Sequence, residues 1–337
     1  MSTAYRNEVP MLQARVRWVS TALLCGMVMV MITPAAAELY SDTELTKKLD
    51  RVRTQVVATV TQDIPKYVAP EYSSKVSVLT VEFPLRGGSP TLFQSVAKTQ
   101  TIVIPGETLQ FIDDLATLRA WLDKYRCESQ TVLFPNYLHH LFQPAPLPHP
   151  LAAFGLRRDA LLRDSVINDT SYKYYTSAVW FNIAHEIGHV VLGHASTIGE
   201  KSINQERLAD AFAIDVMRRR HLTPAGVYLY FLATAFYEPV DGRKQIHPMS
   251  ADRIRAASAA MRQTPDAFVA PESEAPSADA RRVLQIADTL DGIVPHLEKI
   301  QAIRGKLTKR EDALAAIEAQ VFPKVDFTRA CAHGRRN

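Results

Sequence analysis

The run from Val179 to Leu192 is apolar with helical character, yet it carries His185, Glu186 and His189, which packing alone does not call for. Residues four apart project from one face of an α-helix, so both imidazoles can reach a single ion. Glu186 follows His185 directly, about 100° round the helix, where its carboxylate meets a water held by that ion and not the ion itself. This division of labour suits hydrolysis. Zinc lowers the pKa of its water towards ~7, and a carboxylate takes the proton as the water attacks a carbonyl.

A second helical segment follows. Glu206 lies seventeen positions after His189, within Asn204 to Met217, whose apolar residues recur with helical spacing. It is the candidate third protein ligand. Three protein ligands and a water make an open, catalytic site, whereas a structural site needs a fourth ligand to close it. Asp210 is one turn further on the same face, placed to accept the outward N–H of a liganding imidazole. A Glu and an Asp four apart are by themselves an ordinary solvated helix face. The paired histidines upstream favour the metal reading.

His185-Glu-x-x-His189, Glu206-x-x-Ala-Asp210-x-x-Ala213 and the later His247-Pro248 with Arg253-Ile254 together resemble the gluzincin metallopeptidases of the HtpX and CaaX-prenyl-protease type. The resemblance spans roughly Tyr175 to Ile254, and it departs at Leu208, where that family commonly has an acidic residue. It implies one zinc ion per chain on His185, His189 and Glu206, with Glu186 as base and Asp210 behind the ligands. It also implies a His247 near the metal, either steadying the oxyanion or acting as a reversible extra ligand, with Arg253 behind it. The implied fold is α+β, mostly α: a zincin-like core with a small sheet, here with an added C-terminal helical segment.

The 337 residues allow one large domain or a domain with an appendage, and the formal charge of +4 gives no argument for nucleic acid. Arg15 and Arg17 precede an uncharged run from Trp18 to Ala37 that ends in small residues, the pattern of a signal peptide cleaved after Ala37. The alternative is a retained anchor, since about twenty uncharged residues can span a bilayer. Cleavage would take the formal charge to +2 by removing Arg6, Arg15, Arg17 and Glu8. Two cysteines, Cys127 and Cys331, remain after the cut. In an oxidising compartment they invite a disulfide, the alternative being two unpaired thiols.

Elsewhere the patterning is local. Ser41 or Asp42 caps a helix to about Ile64. Lys75 to Phe83 alternates as a strand, and Leu92 to Ile104 reads as a second, forming a hairpin with it across the Arg86 to Pro90 turn. The resemblance makes Ser95 to Val103 the candidate edge for a substrate bound as an extended strand. An ordinary sheet edge is the alternative. Pro105-Gly106 opens a helix to about Arg126. His139, His140 and His149 lack a carboxylate or cysteine at ligand spacing and read as surface histidines. Asp169 or Ser171 would cap the active-site helix, and His194 falls off the ligand face near that helix's end. Thr223-Pro224 opens a helix to Phe236 with several aromatics, and Ser250 caps the one after His247.

Composition places a signal peptide at 1–37 and a Pro-rich linker at 264–278; the resemblance makes 38–263 a zincin-like metallopeptidase domain, and helical spacing makes 279–337 a helical extension. The expected function is an exported zinc endopeptidase of protein quality control or processing in the cell envelope, periplasmic or secreted. Membrane association through residues 18–37 replaces secretion if the leader is retained. The rival is a zinc-binding chaperone or adaptor of the same fold that does not hydrolyse.

Overall fold

A computed structural model describes residues 38–91, 93–127, 130–141, 146–194, 200–236, 247–307 and 309–331. The leader, the 195–199 segment and the charged stretch 237–246 lie outside the described residues. The first described element is α1 (Asp42–Ala58), whose N-terminus is a capping box: Ser41 Oγ accepts from Glu44 N, and the Glu44 carboxylate accepts from Ser41 N at 2.8 Å. A π-turn and a 3-10 turn lead into α2 (Pro70–Val76). Strands β1 (Thr80–Glu82), β2 (Gln94–Val96) and β3 (Thr101–Val103) come next, then α3 (Gly106–Lys124), α4 (Gln130–His140), α5 (Pro150–Ala153) and α6 (Arg158–Leu161). The second half holds α7 (Ser165–Val191), α8 (Glu200–Arg219), α9 (Val227–Phe236), α10 (Ala251–Gln263), α11 (Pro276–Lys306) and α12 (Arg310–Gln320). The fold is therefore mostly α with one small sheet, as expected. Among the described residues no helix is long and apolar enough to cross a membrane.

Helix α7 is the axis. α3 runs along one side of it and α8 along another, while α9, α2 and the sheet close the remainder. Leu109, Phe111, Leu115, Leu118 and Leu122 of α3 and Phe181, Ile183, Ala184 and Ile187 of α7 are all fully or almost fully buried. Each large side chain among them contributes on the order of 1.5–3 kcal/mol. Helix α7 starts at Asp164, whose Oδ1 accepts from Val166 N and Ile167 N at 3.1 and 3.2 Å, not at Asp169 or Ser171. Ser171 is instead an interior residue, 2.9 Å from Thr117 Oγ1 of α3.

The sheet departs from the expected hairpin. Lys75 and Val76 end α2, and Lys75 Nζ donates to Val191 O at 3.0 Å, capping the C-terminus of α7. The second expected strand breaks at the polar turn 97–100, where Gln100 takes φ 52°, so that β2 and β3 form the hairpin. β1 pairs with β3 in parallel, giving the order β1-β3-β2. The expected substrate edge over Ser95 to Val103 is thus halved. β3 is paired on both sides, and β2 has one partner among the described residues.

The expected surface histidines are mostly interior. His139 and His140 are 3% and 7% exposed, and His140 Nε2 lies 2.9 Å from Phe322 O. His149 lies 3.1 Å from the buried Asp114 carboxylate. These contacts come from residues distant in sequence, which no spacing rule reaches. Residues 36–337 form one compact unit. In the Pro-rich stretch 264–278, a 3-10 turn Pro265–Phe268 buries Phe268, and α11 packs on α10. Cys127 and Cys331 form a disulfide, with Cα atoms 5.5 Å apart.

Candidate metal centre

Gly188 sets the approach of the two helices that build the site. A Cβ placed on it would lie 3.2 Å from Ala209 Cα and 3.3 Å from Phe212 Cβ. Its bare backbone lets α8 cross α7 closely, which brings Glu206 and Asp210 onto the two histidines.

His185 Nε2 and His189 Nε2 lie 3.1 Å apart. Glu206 Oε1 is 3.2 Å from His189 Nε2, and its Oε2 is 3.3 Å from His185 Nε2. His247, in the turn before α10, places Nδ1 2.9 Å from Glu206 Oε2 and 3.4 Å from His185 Nε2. The four residues offer ligand atoms within 4.8 Å of one another, a group that could hold a metal ion. The fit is good on length. Tetrahedral bonds of ~2.0–2.1 Å put ligand atoms about 3.3–3.4 Å apart, close to the spacing found here. The fit is good on charge as well. Glu186, Glu206 and Asp210 are each 3% exposed around a single buried guanidinium, Arg253, an imbalance that a divalent cation offsets.

Without an ion the same demand falls on a proton. Burial opposes charging His185, but the Asp210 and Glu206 carboxylates overcome it and raise its pKa to about 10. Burial likewise works against ionising Glu206, and His247, His185 and His189 overcome it, holding Glu206 far below the usual carboxylate range.

Behind the ligand atoms is a continuous polar seam. Asp210 Oδ1 is 3.0 Å from His185 Nδ1, the nitrogen facing away from the cluster, and places a carboxylate directly behind that ring. Arg253 of α10 donates to both Asp210 oxygens, from Nε at 2.8 Å and from Nη2 at 2.9 Å. Its Nη1 donates to Pro248 O at 2.7 Å and sits 3.2 Å from Glu206 Oε2. Arg253 can stay within place because Ser250 Oγ accepts from its N–H and caps α10. Buried Arg253 lowers the Asp210 pKa against the opposing effect of desolvation. Glu186 stands outside the ligand group, with Oε1 3.5 Å from His247 Nε2. Its Oε2 is buried and has no hydrogen-bond partner among the described residues.

The structure thus brings together His185, Glu186, His189, Glu206, Asp210, His247 and Arg253. Two neighbours escaped the sequence reading. His194 lies beyond the end of α7, where Gly193 at φ 68° turns the chain back, so helical geometry no longer governs its direction. Its Nδ1 is 2.9 Å from His189 Nδ1 and gives that ring an outer partner. Burial, with His189 alongside, pushes His194 down to about 4, so it stays neutral at pH 7. Gly193 just past the last apolar turn was the available signal. Tyr230, read only as one of several helix aromatics, places its hydroxyl 3.4 Å from His185 Nε2 and 3.1 Å from Arg253 Nη2. Burial pushes its pKa well above the ordinary phenol value, so the O–H is kept.

No curated protein and no solved structure matches the chain. The sequence model of the family Peptidase U49 matches residues 141–270, a span that runs from before α7 to beyond α10 and contains every residue of the cluster. That match supports a peptidase.

Proposed function

We propose that the chain is a zinc-dependent endopeptidase that cleaves peptide bonds by attack of water. The observation that carries the reading is the convergence of two imidazole nitrogens and a carboxylate from α7 and α8 beside a buried, unpartnered Glu186 oxygen. Donors of this kind, nitrogen and oxygen at tetrahedral spacing, suit zinc. His185, His189 and Glu206 would hold the ion, which supplies Lewis acidity towards the scissile carbonyl and lowers the pKa of water. The resemblance to HtpX-type gluzincins favours the same ligand set.

The chain's own residues supply the proton path and the rigidity. Glu186 Oε2 takes the proton of the attacking water and passes it to the leaving nitrogen. Asp210 and His194 hold the two imidazole rings from behind, and Arg253 keeps the Asp210 carboxylate ionised in place. The outer edge of β2, unpaired among the described residues, offers backbone groups for a substrate in extended form. The signal-like leader and the Cys127–Cys331 disulfide support export to an oxidising compartment, periplasmic or secreted, and a role in protein quality control or processing there. A retained leader would instead anchor the enzyme to the membrane.

The position of His247 favours a second reading. With Nδ1 against the Glu206 carboxylate it could close the fourth corner permanently, which would make the protein a zinc-binding adaptor without hydrolytic activity. Casein cleavage by the wild type and by Glu186→Gln, each assayed for bound metal, separates the two. The peptidase reading expects equal metal in both and cleavage falling about 10²–10⁴-fold in the variant. Full metal with no cleavage by the wild type would favour the adaptor.

A further inference from the structure

The two sulfurs of the Cys127–Cys331 bridge sit in different surroundings. Cys127, just past the end of α3, is 3% exposed, and its N–H donates to Leu122 O at 3.0 Å. Cys331 is only partly buried. Thiol–disulfide exchange needs a thiolate to reach one sulfur while the other departs, so access decides which is attacked. A thiolate arriving from solvent reaches Cys331 and leaves Cys127 as the departing group. The backbone on both sides favours opening. Cys331 has φ 58° and Arg126, next to Cys127, has φ 49°, a left-handed conformation that residues other than glycine adopt at a cost and keep only where their surroundings hold them.

Little besides the bridge holds the segment that ends in Cys331. Over residues 323–331 only Phe327 is buried, while Pro323 to Asp326, Thr328 and Arg329 are exposed. The Phe327 ring lies 6.0 Å from Tyr137 of α4 and 5.1 Å from Phe154 just past α5. Asn136 of α4 adds one hydrogen bond, to Pro323 O, and the turn at Asp326 is closed by its own backbone and by Thr328. Ordering a run of residues costs more conformational entropy than one buried phenylalanine and one hydrogen bond return. The covalent link therefore keeps this segment seated.

We propose that Cys331 is the site at which a dithiol reductant attacks, and that the exchange unlatches residues 323–331 from α4 and α5 while the rest of the fold stays closed. The reductant's first thiolate forms a bond to Cys331 Sγ, the Cys127–Cys331 bond breaks, and its electron pair goes to Cys127 Sγ, which takes up a proton. The second thiolate then attacks the reductant's own sulfur in the mixed disulfide and releases Cys331, which is protonated in turn. The cysteine pair gains two electrons and the dithiol becomes a disulfide. Unlatching uncovers the aromatic floor made by Tyr137 and Phe154, both without exposed surface while Phe327 is seated. The segment is thus closed in an oxidising compartment and opened by a partner of the dithiol-oxidoreductase class.

Two probes test this on the full chain. Reduced glutathione, added under native conditions and quenched with acid before peptide mapping, shows which sulfur is attacked; we expect the adduct on Cys331. Dithiothreitol followed by brief trypsin treatment shows what opens, because Lys324 and Arg329 lie within the segment whereas Arg119 and Lys173 lie within α3 and α7. Cleavage after Lys324 and Arg329 should quicken at least about tenfold on reduction, with Arg119 and Lys173 still protected, since proteolysis follows the population of the open form. A Cys127→Ser/Cys331→Ser variant should be cut at those two bonds as fast as the reduced wild type and should not respond to dithiothreitol. A glutathione adduct on Cys127, or on neither cysteine, overturns the inference. So does an unchanged cleavage rate on reduction, or an equal rise at all four bonds, which would make the bridge a support of the whole fold and not a latch.

Discussion

Gly188 shows how one absent side chain positions the centre. A methyl there would press on Ala209 Cα at 3.2 Å, and a branched side chain would push α8 off α7. Gly188→Val is expected to cost about 1–3 kcal/mol of stability. It should also weaken metal binding, because Glu206 rides on the displaced helix. Thermal melts with metal titration check both, and a variant of normal metal affinity would mean that the crossing does not set the ligand spacing. His139 lies at the opposite pole of predictability. Isolated in sequence it looks solvated, but burial, with His140 and Arg304 nearby, pushes its pKa from 6.5 down to about 3. The folded pKa lies below the unfolded one. Its contribution to stability is therefore complete above about pH 6.5 and is lost as pH falls towards 3, at up to about 1.4 kcal/mol per pH unit. Denaturation at pH 7 and pH 5 should show a shallower acid loss in His139→Phe than in the wild type; equal slopes would contradict the burial.

Among the elements, the seam between α8 and α10 holds the centre rigid. Arg253 is fully buried and bonds both oxygens of Asp210, so removing it strands two carboxylates in the interior. Arg253→Ala is expected to lose about 3–5 kcal/mol in urea denaturation. A loss below about 1 kcal/mol would mean that water replaces the guanidinium. Helices of this kind were readable because their information is local: four-residue spacing on α7 and α8, a Ser41 or Asp42 cap on α1 and the Ser250 cap on α10 each need only a few neighbours. The sheet was not readable in the same way. Alternation over 75–83 continues through the end of α2, where Lys75 docks on the Val191 carbonyl of α7, a contact that local patterning does not contain. His194 was misjudged because helical geometry was extended past Gly193, where the chain leaves the helix.

Across the whole molecule, the C-terminal residues behave as a strap. Phe322 packs edge-on to Phe236 at 5.2 Å and beside His139 at 5.4 Å, Asn136 Nδ2 donates to Pro323 O at 2.7 Å, and Cys331 bonds Cys127 across 204 residues. Composition marked the Pro-rich 264–278 stretch but could not reveal that α11 returns to α10, since that depends on faces that meet only after folding. Closing so long a loop restricts the unfolded chain, and losing the bridge is expected to cost about 2–5 kcal/mol. A Cys127→Ser/Cys331→Ser double variant should lose that much stability in urea denaturation and melt at a lower temperature than the oxidised wild type, and equal stability would show that the strap holds without its bridge. The central claim is that α7 and α8 jointly grip one divalent ion, and Glu206 is the residue through which the second helix takes part. Native mass spectrometry of the wild type and of Glu206→Ala, purified without chelator, tests it most directly. The account predicts one metal ion per chain in the wild type and less than a tenth of that in the variant. A metal-free wild type, or a variant that keeps its ion, would contradict it.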